Sequence, residues 1–288
     1  MRRRLLVLAG LALVFPASAS ARGTFHPEDE FNLKSWVPIH LFGLDLSINK
    51  AVVYLWLGGL LSCLIGWSLM RFRLKHDPDR RQTVGELIYD LVQSQIAEQG
   101  LPAKAIGRWF PYVAALFLFI WTLNMVSFVP LPISNEKFHV AGLDIPTFGI
   151  YAATAQISVT LVLALLSVVF THVEGFRFNG IGYLKSFVPA GVPPLMVPVM
   201  AVLETVSHIF RVVSLSVRLY ANMLAGHMLI LIFIGLTFIF ETYVFAPFSI
   251  LFATVFYLFE VLIVVTIQAY IFAALTAIYI GSAVEPSH

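Results

Sequence analysis

Long apolar stretches that contain no Asp, Glu, Lys or Arg recur along the chain. A helix needs about 20 such residues to cross a hydrocarbon core of ~30 Å. The stretches are continuous rather than alternating, which predicts helices and not the strands of a membrane barrel. They cover residues 51–70, 109–135, 145 up to Glu174, 186–203, 242–259 and 261–284. The pattern predicts five crossings, of which the fourth and fifth form a long, tilted hairpin that carries most of the polar residues.

Basic residues are concentrated between the first two predicted crossings. Residues 71–108 carry seven of the 18 Lys and Arg residues, and such an excess marks a cytoplasmic segment. Residues 133–144 contain one lysine and fit the outside, whereas residues 171–189 contain two basic residues and fit the inside. This distribution predicts an amino end outside the cell and a carboxyl end in the cytoplasm.

The amino end has the features of a secretory signal. Three arginines at positions 2–4 precede the apolar residues 5–15, and Ala19-Ser20-Ala21 provides small residues for cleavage. We interpret residues 1–21 as a signal peptide and residues 22–288 as a single membrane domain. The alternative interpretation is a short amino-terminal anchor that is not cleaved.

Residues 81–100 show a different pattern, because apolar residues recur there at helical spacing among charged ones. This pattern predicts an amphipathic helix that lies on the cytoplasmic membrane surface. Prolines are then concentrated in residues 187–198, where we expect the chain to re-enter the membrane. The predicted fold class is therefore an all-α polytopic membrane protein with five transmembrane helices and one surface helix.

The composition excludes a disordered protein, a nucleic-acid binder and an ordinary cytosolic enzyme. Hydrophobic residues make up 59% and charged residues 12%, against about 45–50% and about 25% in a soluble domain. A net charge of +2 gives no basic surface for nucleic acid. The single cysteine excludes an internal disulfide, and no spacing of His or Cys supports a metal site. We expect no cofactor and no nucleic-acid partner.

Polar groups inside the fourth crossing are the main chemical clue, because a charged residue at a helix centre costs ~2.5–3.5 kcal/mol to insert. Residues 204, 211 and 218 are spaced by seven and share one helix face. His227 lies nine residues past Arg218, roughly on the opposite side. The polar residues of this crossing are Glu204, Ser207, His208, Arg211, Ser214, Arg218, Asn222 and His227, and the fifth crossing adds Glu260 and Gln268.

Arg218 divides these groups into two zones. Arginine stays charged and does not relay protons easily, whereas glutamate and histidine can be tuned to accept and release them. A permanent cation flanked by titratable groups is expected of two proton half-channels that do not meet. An alternative for Arg218 alone is a structural ion pair with Glu260 or Glu204.

Three segments resemble subunit a of the F-type ATP synthase. Residues 214–227 read SLSVRLYANMLAGH, residues 267–280 read IQAYIFAALTAIYI, and residues 123–132 read LNMVSFVPLP. The resemblance covers roughly residues 35–285. It implies a non-catalytic stator subunit in the inner membrane of a bacterium. The implied partners are the c-ring subunits, subunit b, the rest of the synthase, the lipid bilayer and protons.

The resemblance also implies roles for individual residues. Arg218 matches the arginine that faces the carboxylates of the rotor ring. The remaining matches are Asn222 and Gln268 as its polar neighbours, Glu204 and Ser207 in the cytoplasmic half-channel, His227 in the exterior half-channel, Arg211 one heptad before Arg218, and Asn124 in the second crossing. Arg211 and His208 have a plainer interpretation as structural residues, and His139 and His172 are predicted to lie in loops.

The chain departs from the family pattern at a few positions. Many members carry a titratable group seven residues before the glutamine, where this chain has Val261. Glu260 lies eight residues before Gln268, which in a regular helix turns it by ~100°. Either a π-bulge restores its position or the entry path differs. Ala221 replaces a glycine of the family, which is a mild change. Ser127 replaces an acidic group of the family, so exterior access is expected to be lined differently.

Two other classes of function are considered. A self-contained channel or secondary transporter would use Arg218 as an anion site and conduct ions without a ring. An intramembrane enzyme would use His208, His227 and Glu260 as catalytic groups. The absence of a His-Glu-x-x-His or Gly-x-Ser-x-Gly motif argues against the enzyme.

Overall fold

The computed structural model describes residues 47–69, 79–131, 150–187, 193–239 and 246–285. It also describes short pieces between residues 33 and 45 and two strands between residues 137 and 146. The predicted signal peptide, residues 1–21, lies outside the described residues. Five helical spans are long and apolar enough to cross a membrane: Lys50–Leu69, Ala103–Ser127, Ile157–Tyr183, Pro194–Leu236 and Pro247–Val284. The prediction of an all-α polytopic membrane protein is confirmed.

Seven α-helices of at least 13 residues make up the described fold. They are α1 (Lys50–Leu69), α2 (Arg80–Val92), α3 (Ala103–Ser127), α4 (Ile157–Asn179), α5 (Val197–Ile239), α6 (Ala246–Phe259) and α7 (Val265–Val284). Polar side chains begin two of them: Asn49 accepts a hydrogen bond from the backbone N–H of Val52, and Asp79 accepts one from Arg80. Gly180 ends α4 with a φ of 56°, a backbone conformation that glycine adopts without strain.

The predicted amphipathic helix is present and is continued by an irregular turn. Helix α2 leads into a π-helical turn, Gln93–Ala97, and a last short turn, Glu98–Gly100. Val92 and Ile96 are buried in the helix bundle, whereas Val84 and Leu87 are exposed. The end of this segment therefore packs on the protein, and its beginning presents apolar groups that suit a membrane surface.

The helices pack in a defined order. Helix α3 packs between α1 and α7, and α4 packs against both α5 and α7. Helix α5 also packs along α6. The core includes Ile120 of α3, Leu219 and Met223 of α5, and Phe272 of α7.

Helix α5 is too long to cross the membrane upright. Its 43 residues give a length of about 65 Å, against a hydrocarbon core of ~30 Å. The span Pro247–Val284 has 38 residues and is also too long. Both helices therefore require a steep tilt within a bilayer, in agreement with the predicted tilted hairpin.

Two short antiparallel hairpins were not predicted. His40–Leu41 pairs with Leu44–Asp45, and Lys137–Val140 pairs with Leu143–Pro146. Helix α3 ends at Ser127, although its apolar run continues to residue 135, because Pro130 and Pro132 lack the N–H that a helix needs. Helix α4 begins at Ile157, after the 3₁₀ turn Ala153–Ala155, although its apolar run already begins at residue 145. The apolar run is therefore longer than the helix at this end too.

Candidate functional site

Arg218 lies on the exposed side of α5, within the span Pro194–Leu236. Its neighbours Leu215 and Leu219 point the other way and are buried in the bundle. Among the described residues Arg218 makes no ion pair, since Glu204 contacts Arg211 and His208 while Glu260 contacts His227. The alternative of a structural ion pair with Glu204 or Glu260 is therefore wrong.

The surface around Arg218 is formed mostly by small residues. Ser214, Ala221 and Ala225 are exposed on the same side of α5, and Val217 lies next to them. We call these four residues and Arg218 the outer strip. Asn222, one turn after Arg218, is half-buried at its edge. Small side chains let another helix approach closely, so the guanidinium is accessible to a partner that lies along the strip.

His227 and Glu260 form a buried pair on the opposite side of α5. His227 Nδ1 lies 3.6 Å from Glu260 Oε1, and the two side chains are 0% and 4% exposed. His227 Nδ1 also lies 3.1 Å from the carbonyl oxygen of Met223, which can only accept, so Nδ1 carries a proton in that hydrogen bond. We call His227 and Glu260 the outer pair. Burial of two titratable groups is costly in an apolar span and favours a functional role.

A π-helical turn places Glu260 in this pair. The turn covers Glu260–Val264 and connects α6 to α7. A π turn accommodates one extra residue, so a residue eight positions before Gln268 takes the place of one seven positions before it. Glu260 and Gln268 are both buried. Of the two alternatives left open by the sequence, the π-bulge is present.

Residues that sequence reasoning missed complete the surroundings of the outer pair. A Cβ atom at Gly226 would overlap the Glu260 carboxylate, so glycine leaves the space that the carboxylate occupies. The Phe128 ring lies 4.6 Å from the His227 ring. Tyr257 donates a hydrogen bond of 3.2 Å to the Phe128 carbonyl. The position of Gly226 directly before His227 in the recognised motif was the available signal for its role.

A second group of polar residues lies towards the start of α5. Glu204 Oε1 is 3.6 Å from His208 Nε2 and 3.7 Å from Arg211 Nη2. Arg211 also lies over the Tyr279 ring at 5.2 Å. Ser207 is half-buried beside them. We call Glu204, His208 and Arg211 the inner group. Arg211 thus contacts both the Glu204 carboxylate and the Tyr279 ring.

His172 extends the inner group, and its predicted place in a loop is wrong. It lies in α4, which continues through the predicted loop as far as Asn179. Its ring lies 4.9 Å from that of His208, and its Nδ1 lies 3.0 Å from the Tyr183 hydroxyl. His139 lies in the strand Lys137–Val140 and not in a loop.

Asn124 is buried in α3, where its side chain binds the 3₁₀ turn Ala153–Ala155. Its Oδ1 accepts a hydrogen bond of 2.7 Å from Thr154, and its carbonyl accepts one from Ser127. These bonds position the end of α3, where Phe128 contacts His227. Within the described part of the chain, no three His, Cys, Asp or Glu side chains are grouped to hold a metal ion.

Comparison with known proteins gives the family of this chain. Residues 52–281 match the protein family described as ATP synthase A chain. The ATP synthase subunit a of Rubrobacter xylanophilus is 39% identical over 266 residues, which cover 88% of this chain and 92% of that protein. The ATP synthase subunit a 1 of Brucella anthropi is 34% identical over 274 residues, 91% and 98% of the two chains. This chain, a multi-pass membrane protein, belongs to the ATP synthase A chain family.

Proposed function

We propose that this chain is the proton-conducting stator subunit of an F-type ATP synthase. Two offset half-channels would deliver protons to, and remove them from, the carboxylates of a rotating c-ring. The observation that carries the proposal is the exposed Arg218, unpaired among the described residues, between two groups of titratable side chains. Along α5 the inner group begins about 21 Å before Arg218, and His227 follows it by about 14 Å.

The outer pair is the proposed entry point. A proton from the exterior binds at His227 or Glu260 and passes to an ionised ring carboxylate beside the outer strip. His227 and Glu260 are suited to this step because an imidazole and a carboxyl group can each accept and release a proton. Asn222 and Gln268 provide polar neighbours for the carboxylate as it moves past.

Arg218 is the proposed barrier and electrostatic partner. A protonated ring carboxyl group arrives after rotation through the lipid and releases its proton towards Ser207 and Glu204. The Arg218 guanidinium stays protonated, so it stabilises the ionised carboxylate that results and prevents direct proton leakage between the half-channels. A membrane potential supplies ~2.3 kcal/mol per charge per 100 mV for this transfer.

The proposal includes the surroundings of the chain. Its partners are the c-ring, subunit b and the remaining subunits of the synthase, and nucleotide chemistry takes place on those partners. The relatives that support this assignment are themselves named ATP synthase subunit a. The location is the inner membrane of a bacterium, with the amino end outside and the carboxyl end in the cytoplasm.

The Arg218→Ala variant tests the proposal in inverted membrane vesicles that carry the whole complex. We expect respiration-driven ATP synthesis to be abolished, while uncoupled ATP hydrolysis shows that the complex is assembled. The matched control is Arg80→Ala, which removes an exposed arginine of α2 and is expected to leave synthesis unchanged. Unimpaired synthesis in Arg218→Ala would contradict the proposal.

A further inference from the structure

Two histidines from different helices meet beside the inner group. His208 of α5 and His172 of α4 have ring centroids 4.9 Å apart, at an interplanar angle of 61°. Among the described residues, the side chains around them include Glu204 and Arg211 from α5 and Tyr183 from the turn after α4, and Tyr279 of α7 lies against Arg211. Glu174, also on α4, is directed instead at Arg108 of α3, 3.8 Å away.

We infer that His172 and His208 together accept the proton that a ring carboxyl group releases and pass it to Glu204, which loses it to the cytoplasmic water. This inference rests on the proposed function and adds residues of α4 to the inner half-channel. In the transfer, the N–H bond at Nε2 of the His208 imidazolium breaks and an O–H bond forms at the ionised Glu204. The protonated Glu204 then loses its proton to water and returns to the ionised form.

The geometry supports this path. His208 Nε2 lies 3.6 Å from Glu204 Oε1, slightly beyond the ~2.6–3.2 Å at which a proton is transferred, so a small side-chain rotation closes the gap. The His208 side chain is 14% exposed and the Glu204 side chain is 38% exposed. The path therefore runs from the more enclosed imidazole to the partly open carboxylate, from which the proton reaches water.

The two histidines hold one proton between them. Two imidazolium ions at this separation repel each other, and the Arg211 cation beside Glu204 adds to that repulsion. Protonation of one ring therefore disfavours protonation of the other, and the pair titrates as a coupled unit. Because each ring can accept and release a proton, we expect this unit to respond to cytoplasmic pH.

Tyr183 is the positioning residue of the pair. Its hydroxyl lies 3.0 Å from His172 Nδ1, and its side chain is almost fully buried. Gly175 makes room for its ring, since a Cβ atom there would lie 2.5 Å from a ring carbon of Tyr183. The hydrogen bond orients the His172 ring and leaves Nε2 as its second proton site.

The test measures how ATP synthesis depends on the pH of the medium, which contacts the cytoplasmic face in inverted vesicles. The whole complex carries His172→Gln, His208→Gln or both, and His139→Gln is the matched control. We expect each single variant to shift the midpoint of the pH profile by about one unit, the ordinary spread of histidine pKa values. The double variant should shift it no further, and the control should not shift it.

Tyr183→Phe provides a second readout that keeps both imidazoles. It removes the hydrogen bond to His172 and should shift the profile in the same direction as His172→Gln. Profiles that superimpose on the unaltered complex in both single variants, or shifts that add in the double variant, would overturn the inference. Synthesis retained by Arg218→Ala in the same vesicles would instead overturn the proposed function, so the two failures are distinguishable.

Discussion

His227 Nδ1 and Glu260 Oε1 lie 3.6 Å apart in a buried contact between α5 and the turn that precedes α7. The contact depends on two local features, a glycine at position 226 and a π-helical turn that begins at Glu260. Neither feature adds a charged group. Each instead determines the position of the Glu260 carboxylate. Both features can therefore be changed while the side chains of the outer pair stay the same.

Gly226→Ala is expected to displace the Glu260 carboxylate. The added Cβ overlaps that carboxylate, and relief of such an overlap in a packed site costs ~1–3 kcal/mol. ATP synthesis in vesicles should fall to about a tenth or less, because ~1.4 kcal/mol corresponds to a factor of ten in rate. Gly107→Ala is the control, since a Cβ at Gly107 meets no atom within 4 Å. Equal activity in the two variants would contradict the role of Gly226.

Deletion of Ile263 tests the π-helical turn. Ile263 lies within the turn and is 45% exposed, so its loss removes the extra residue without emptying the core. Glu260 would then lie seven residues before Gln268 in a regular helix and keep its side of the helix. We expect substantial ATP synthesis to remain. Deletion of Leu251, an exposed residue in the regular helix α6, rotates the preceding residues by ~100° and should impair assembly or synthesis. The opposite ranking of the two deletions would count against this explanation.

Gly281→Ala is expected to destabilise the complex. A Cβ atom at Gly281 would overlap the carbonyl oxygen of Gly100, where the segment after α2 crosses α7. A backbone atom cannot rotate away as a side chain can, so the cost is ~1–3 kcal/mol. The thermal midpoint of the purified complex should fall. The control, Gly59→Ala, adds a Cβ whose nearest atom is 3.8 Å away and should leave the midpoint unchanged or raise it. Equal midpoints would show that the crossing tolerates the methyl group.

The sequence predicted the fold well where one physical signal dominates. Charge-free runs located the five crossings, because burial of charge in lipid is expensive along the whole span. The ends of the helices were predicted less well. Proline ends α3 and a 3₁₀ turn precedes the start of α4, both within apolar sequence. Apolar composition alone does not distinguish a helix from such a turn.

The candidate site was predicted in its residues but not in its contacts. Helical spacing placed Arg218 and His227 on opposite sides of α5, as the structure has them. Contacts between helices depend on packing that one helix does not encode, so the position of His172 beside His208 was not predicted. His172 was assigned to a loop because the basic residues of 171–189 indicated a cytoplasmic segment, although α4 continues to Asn179. For Glu260 the sequence predicted part of the answer. Its one-residue offset indicated either a π-bulge or a different entry path, and the structure has the π-bulge.

The most direct measurement asks whether the outer strip faces the ring. Cys63, the single cysteine, is exposed on α1 and is first replaced by serine. Ala221→Cys is then combined with a cysteine beside the essential carboxylate of the ring subunit, and Leu60→Cys on the exposed side of α1 is the control. Under mild oxidation we expect a disulfide-linked product of the two subunits from position 221 and none from position 60. A product from position 60 without one from position 221 would contradict the account.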